Sequence, residues 1–312
     1  MLSPKKPYPS EKSILHPRNK HRERYDFNQL TTACPELKPY VILNKYGDES
    51  IDFFDPVGVR LLNKALLKHF YLIEFWELPP GYLCPSIPGR VDYIHYMADL
   101  IHQHSKNKKI SSGPIRCLDI GVGASLIYPI LAHKEYGWSF VGSDIDKRAI
   151  KAAQRIIDKN PGLKGKVEVR WQKNPKDFFR GIILPGEIFD LTICNPPFHS
   201  SSADAQAAAL RKLNNLKSVK TKQAILNFGG QDTELYSTGG ELRFVTDMIN
   251  ESKSFATSCW WFSSLLSKQS NLKPILALLK KLEATEVKTI PMGQGNKISR
   301  IVAWTFQHTP AL

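Results

Sequence analysis

Cys117-Leu118-Asp119-Ile120-Gly121-Val122-Gly123-Ala124-Ser125 is the stretch that decides the fold. An apolar run ending in an acid passes into paired glycines, and a segment with helical spacing of apolar residues follows to about Tyr136. Glycines at a strand-to-helix turn let the backbone bend sharply and approach a ligand, because no Cβ stands in the way. The dinucleotide fingerprint would place another small residue at position 126, but Leu126 stands there, which disfavours a pyrophosphate on the helix N-terminus. Asp119 instead suits a ligand with a positive amino group. Asp144 ends the next strand, where a carboxylate can accept both hydroxyls of a ribose. The alternative for these residues is an ordinary tight turn, with Asp144 capping the helix that begins near Lys147.

Outward from this turn, strands and helices alternate. Strands are expected at 115–120, 139–143, 167–171 and 189–194, with helices at 125–136 and 147–158. The pattern continues with a strand at 258–265, a helix at 272–282 and strands at 286–291 and 298–306. Such alternation predicts right-handed crossovers and a parallel sheet covered by helices on both faces. Only the turn-rich 292–297 separates the last two strands, so they should pair antiparallel.

Leu191-Thr192-Ile193-Cys194 is an apolar strand that ends in Asn195-Pro196-Pro197-Phe198. The carboxyl end of a strand is where open α/β sheets bind ligands. An aromatic exocyclic amine is a poor nucleophile, because its lone pair is delocalised into the ring. Two acceptors drawing on its N–H bonds would favour a tetrahedral nitrogen, and the Asn195 side-chain carbonyl and Pro196 backbone carbonyl can supply them. Adjacent prolines restrict the backbone that aims these acceptors, and Phe198 offers a ring on which a base can stack. An ordinary strand-exit turn is the alternative for a lone Asn-Pro-Pro-Phe, but here it follows the glycine turn and the acid in order.

Lysine and arginine outnumber aspartate and glutamate 43 to 29, a formal charge of +14 over 312 residues, which favours a polyanionic partner such as nucleic acid. The five cysteines show no metal-ligand spacing, so no metal is expected. No apolar run approaches a membrane span, and a soluble cytoplasmic protein without a membrane partner is expected. Three regions are read along the chain. Residues 1–26 form a basic, proline-rich arm expected to be flexible and to bind RNA through Arg18, Lys20, Arg22 and Arg24. Residues 27–88 form a small accessory region with one amphipathic helix over 57–70, and 89–312 the catalytic domain, opening on a helix over 90–104. After the Asn195 motif, Arg211, Lys212, Lys217, Lys220 and Lys222 accumulate with no acid between Asp204 and Asp232. These cations are expected to grip phosphates beside an extruded base.

With these motifs in order, the sequence resembles the adenine-N6 methyltransferases of large-subunit (23S) ribosomal RNA (RlmF type), which share a domain with METTL-type RNA adenine methyltransferases. The resemblance runs through most of the chain. It rests on His16-Pro17-Arg18-Asn19, Pro88-Gly89-Arg90-Val91-Asp92-Tyr93-Ile94-His95, Asp119 to Ser125, Asn195 to Phe198 and Gly239-Gly240-Glu241-Leu242. It implies a class I (Rossmann-like) methyltransferase, α/β with a mostly parallel sheet and an antiparallel final strand, using S-adenosyl-L-methionine. It also implies that Arg90 meets the cofactor's carboxylate end, that Gly121, Gly123 and Ser125 line its methionine part, and that Asp144 holds the ribose. Asn195 and Phe198 would hold the target adenine, and Asn174 would stand beside the cofactor's base. The implied partner is ribosomal RNA or an assembling large subunit, and the protein is expected to be a monomer. The Gly239-Gly240 pair is read as a turn before a helix in which the dipole favours Glu241.

Three rival activities are compatible with these motifs. A protein glutamine-N5 methyltransferase uses a similar motif, usually with tyrosine as the aromatic residue, and Phe198 and the basic excess argue against it. DNA adenine methylation would call for a base-reading module, and none is apparent. A non-catalytic RNA-binding factor of ribosome assembly would not need the intact Asn195 motif.

Overall fold

The computed structural model describes residues 14–105, 114–197, 239–294 and 297–307. The amino-terminal part holds α1 (Phe27–Ala33), a short antiparallel hairpin of β1 (Val41–Leu43) and β2 (Glu49–Ile51), α2 (Pro56–Tyr71) and α3 (Ile87–Ser105). Asp55 caps α2 through the Val57 amide, with Pro56 at its first position, where a missing N–H costs nothing. Then come β3 (Arg116–Ile120), α4 (Ile127–Tyr136), β4 (Ser139–Asp144), α5 (Lys147–Lys159), β5 (Val167–Trp171) and β6 (Phe189–Cys194). The described chain ends with α6 (Gly240–Ser252), β7 (Cys259–Leu266), α7 (Leu272–Lys281), β8 (Glu286–Gln294) and β9 (Lys297–Thr305).

The seven long strands form one sheet in the order β5-β4-β3-β6-β7-β9-β8. β5, β4, β3, β6 and β7 are parallel neighbours, and β9 inserts between β7 and β8, antiparallel to both. This is the expected mostly parallel sheet with an antiparallel final strand. The order reverses between β3 and its neighbours β4 and β6, so a crevice opens at their carboxyl ends, where open α/β sheets bind ligands. Two apolar clusters cover the two faces. On one, Trp76, Ile94, Met97 and Leu131 are buried together, and on the other Phe179, Met248, Phe262 and Trp304.

The first cluster joins Leu37 and Leu66 of the accessory region to Ile130 and Ile156 of the α/β unit in one continuous core. The position expected as a boundary, between 88 and 89, falls inside the first turn of α3. α4 starts at Ile127 rather than Ser125 because Leu126 takes a left-handed conformation, φ 52°, and ends the turn. No described helix is long and apolar enough to cross a membrane.

The described part of the expected flexible arm, residues 14–26, is instead packed into the fold. Leu15, His16, Asn19 and His21 are all at most 4 % exposed. Their polar groups bond to α2 and α3 rather than to water: His21 Nε2 pairs with the Tyr71 hydroxyl at 2.9 Å, and His16 Nε2 with Asp99 at 3.0 Å. Satisfied in this way, polar residues can be buried without a desolvation penalty that opens the segment. Of the cations expected to meet phosphates, Arg18 donates to Asp99 at 2.6 Å, Lys20 pairs with Glu135 at 3.0 Å, Arg24 pairs with Asp48, and Arg22 donates to the Pro17 carbonyl.

Candidate cofactor and catalytic site

β3 delivers Asp119 and Ile120 to the crevice and then turns on Gly121 and Gly123, whose φ angles of 75° and 64° lie where a side chain would be strained. The turn is docked on β4. The Gly121 and Val122 amides both donate to the Ser143 carbonyl at 2.9 Å, and a Cβ on Gly142 would stand 2.7 Å from a Val122 methyl. The Asp144 carboxylate completes it by accepting the Gly123 amide at 2.9 Å and the Asp146 amide at 2.9 Å. Asp146, not Asp144, caps α5 through the Arg148 amide. The capping alternative for Asp144 therefore falls to its neighbour.

A pocket opens at this turn. Of the expected residues, Arg90, Gly121, Gly123, Ser125 and Asp144 line it, as do Asn195 and Pro197 at the end of β6. The two halves of the predicted site thus share one cavity. Asp119 does not line it: its carboxylate is wholly buried, and neither oxygen has a hydrogen-bond partner. Burial pushes its pKa well up, the nearby Asp144 charge adds to this, and Arg90 opposes it. Burial likewise raises Asp144. A buried carboxylate with no donor beside a second acid is costly by itself, and a cationic ligand group offsets that cost. Asp144 in the lining and Asp119 behind it therefore favour a ligand that brings positive charge to the pocket.

Arg90 joins the two halves. Its Nη1 donates to the Tyr128 hydroxyl at 2.9 Å and to the Asn195 side-chain carbonyl at 2.7 Å. Tyr93, one turn further along α3, bonds Ser263 of β7 at 2.9 Å and accepts the Cys194 amide at 3.4 Å, which ties the helix to the end of β6. The base of α3 is held in turn by the amino-terminal segment. Asn19 Nδ2 donates to the Pro88 carbonyl at 2.9 Å and to Asp92 at 2.5 Å, while the His16 amide donates to the same carboxylate at 3.0 Å. Asn19→Ala is therefore expected to destabilise the protein by about 1 to 3 kcal/mol, because buried Asp92 and the half-buried Pro88 carbonyl each lose a donor. It should also weaken cofactor binding through Arg90. Thermal melts and cofactor titration of the variant check both, and a wild-type melting temperature would contradict the buttress.

The wall at the end of β5 was legible only in part. Asn174 is exposed and bonds Asp177 at 2.7 Å, so it does not face the pocket, whereas Gln172, Pro175, Asp177 and Phe178 do. The loop was the right one, since it leaves the carboxyl end of a strand, but its turn sets which side chain points inward. Glu251 of α6 holds that loop by accepting the Phe178, Phe179 and Arg180 amides at 2.7, 3.0 and 2.8 Å. Tyr128 and Phe244 also line the pocket, with nothing in their sequence context to mark them. Trp76 bonds the Ser125 carbonyl at 2.9 Å, so the accessory region shapes the cofactor turn. Glu241 does more than meet a helix dipole: buried, it accepts the Ser267 amide and the Asn271 side chain, both at 2.6 Å. Pro196 is buried outside the pocket lining. Phe198, Arg211, Lys212, Lys217, Lys220 and Lys222 lie outside the described residues. Among the described residues no cluster of His, Cys, Asp and Glu could hold a metal ion.

Comparison with known proteins bears on this site. The Ribosomal RNA large subunit methyltransferase F of Cytophaga hutchinsonii is 58 % identical over 308 residues, covering 98 % of this chain and 95 % of that protein. The protein of the same name from Bacteroides thetaiotaomicron is 52 % identical over 304 residues, 95 % of this chain and 99 % of that one. Among solved structures, the hMettl16 catalytic domain in complex with the MAT2A 3'UTR hairpin 1 matches with a TM-score of 0.79 at 29 % identity, covering 94 % of this chain and 96 % of that one. The N-terminal domain of human METTL16 in complex with SAH matches with a TM-score of 0.74 at 27 % identity, over 94 % of this chain and 99 % of that one. The sheet is accordingly that of a Rossmann-like methyltransferase domain. A family profile described as RNA methyltransferase matches residues 10–308, and the chain belongs to that family.

Proposed function

We propose that this RNA methyltransferase transfers a methyl group from S-adenosyl-L-methionine to the exocyclic N6 amine of an adenine in large-subunit (23S) ribosomal RNA, naked or in an assembling subunit. It acts as a monomer in the cytoplasm. The observation that carries this reading is that Asn195, at the carboxyl end of β6, faces the same pocket as the glycine turn and Asp144. Near-full-length relatives named for large-subunit ribosomal RNA methylation support the substrate.

Within that pocket Asp144 accepts the ribose hydroxyls and Arg90 meets the carboxylate end of the cofactor. Gly121, Gly123 and Ser125 follow its methionine part. When bound, the cofactor supplies a methyl on a positive sulfonium, already activated for transfer. The Asn195 carbonyl oxygen has two lone pairs, and Arg90 occupies one at 2.7 Å. That bond fixes the amide orientation and leaves the second lone pair for an N6 hydrogen. Phe198 would stack on the base. With the amine so held, orientation supplies much of the acceleration and no general base of shifted pKa is required.

Incubating the protein with methyl-tritiated cofactor and separate RNA, DNA and protein fractions tests the reading. Label is expected in the RNA alone. Label in protein would favour glutamine methylation, label in DNA adenine methylation of that polymer, and cofactor binding with no turnover on any RNA a non-catalytic assembly factor.

A further inference from the structure

α5 carries its exposed charge almost entirely as cations. Lys147, Lys151, Arg155 and Lys159 follow one another at i, i+4 spacing, Arg148 lies on the same side, and all five are exposed while Ala149, Ala153, Ile156 and Ile157 are buried. The chain that follows adds exposed Lys164 and Lys166. This arrangement works against the helix itself. Like charges one turn apart repel, and each such pair costs a few tenths of a kcal/mol. Lys147 and Arg148 also sit in the first turn, which has no acid, at the positive end of the helix dipole. Compensation on the protein is slight. Asp146 is occupied as the helix cap and with the Tyr82 hydroxyl, Asp158 takes the Gln154 amide, and Glu77 meets Arg155 at 3.5 Å with both side chains about 60 % exposed.

The ladder also begins beside the pocket. α5 starts directly after Asp144 and Ile145, both of which line the pocket. Lys147 Nζ lies 3.8 Å from the ring centre of Trp171, whose indole is 37 % exposed and bonds the Ile145 carbonyl at 3.0 Å. From that mouth the cations descend in steps of about 6 Å, roughly 18 Å in all, along the outer face of the helix.

We infer that the exposed face of α5, Lys147-Lys151-Arg155-Lys159, is a phosphate-tracking RNA surface that holds the substrate strand leading away from the pocket. The inference rests on the RNA-methylating reading of the site. It gives the strand an anchor of its own, apart from the loop after Asn195. Lysines and arginines on phosphates add affinity without reading sequence, through release of counterions. The self-repulsion that destabilises the bare helix is relieved once phosphates lie between the cations.

The test compares the full chain with a Lys151→Gln/Arg155→Gln/Lys159→Gln variant and with a control, Lys273→Gln/Lys280→Gln/Lys281→Gln, which removes as many exposed cations from α7. Binding of a short fluorescent oligouridylate is measured over a salt series, with KM and kcat on transcribed 23S ribosomal RNA. The α5 variant is expected to bind roughly tenfold more weakly at physiological salt, with the slope of log K on log salt shallower by up to about 2, or about 0.7 per lost single-strand contact. KM for RNA should rise, kcat at saturating RNA and cofactor affinity should hold, and the melting temperature should stay level or increase. The control should behave as wild type. An unchanged salt slope in the α5 variant, or an equal loss in the control, overturns the surface while leaving RNA methylation standing. Wild-type protein that binds no RNA and methylates none overturns both.

Discussion

Asn195→Ala is expected to lower methyl transfer by about a hundredfold or more while cofactor affinity stays close to wild type. The substitution removes the acceptor proposed to face the methylated nitrogen and leaves Asp144 in the pocket lining. Its local cost is small, because Arg90 keeps the Tyr128 hydroxyl as a partner and lies at the pocket, where water can replace the lost carbonyl. Asn195→Asp retains an oxygen at the same place beside Arg90 and is expected to keep more turnover than alanine. Single-turnover rates at saturating cofactor and RNA make the comparison, since they separate chemistry from product release. Near-normal turnover in the alanine variant would remove Asn195 from its role.

Asp144→Ala is expected to weaken S-adenosyl-L-methionine binding by about 1 to 3 kcal/mol, because charge-assisted bonds to ribose hydroxyls are lost. It also frees the Gly123 and Asp146 amides, which the carboxylate holds at 2.9 Å each, so the glycine turn loosens as well. Asp144→Asn separates these effects. An amide oxygen can still accept one backbone N–H, so the turn is better kept, while the charge facing the ribose is gone. Calorimetric titration of both folded variants is the measurement, and wild-type affinity in the alanine variant would contradict the assignment.

The sheet was readable because each of its strands is a local signal. Cys117 to Ile120 and Leu191 to Cys194 are short apolar runs bounded by turn residues; the first strand starts one residue later than expected, and the second keeps its expected bounds. The glycine turn, Asp144 and Asn195 were readable for the same reason, as chemistry placed at strand ends. The amino-terminal segment was misread because its partners are remote. His16 and Asn19 bond one oxygen of Asp92, and Arg18 pairs with Asp99, all more than 70 positions away, and no composition rule distinguishes such a segment from a solvated arm. Glu251 is a similar case, since its three amide partners lie about as far off in the chain. Asn174 shows a finer limit: the sequence marks the loop, but the side chain that enters the pocket depends on a turn closed by Gln172 and Asp177. The basic face of α5 was legible in principle as an i, i+4 series of cations, yet its nearness to the pocket mouth needed the fold.

On the function proposed above, the Asn195 pocket methylates the N6 amine of adenine in large-subunit ribosomal RNA. Transcribed 23S ribosomal RNA incubated with the protein and cofactor, digested to nucleosides and resolved by mass spectrometry against standards, tests it most directly. N6-methyladenosine is the methylated nucleoside expected, and it should disappear with Asn195→Ala. A different methylated nucleoside, or N6-methyladenosine undiminished in that variant, would contradict it.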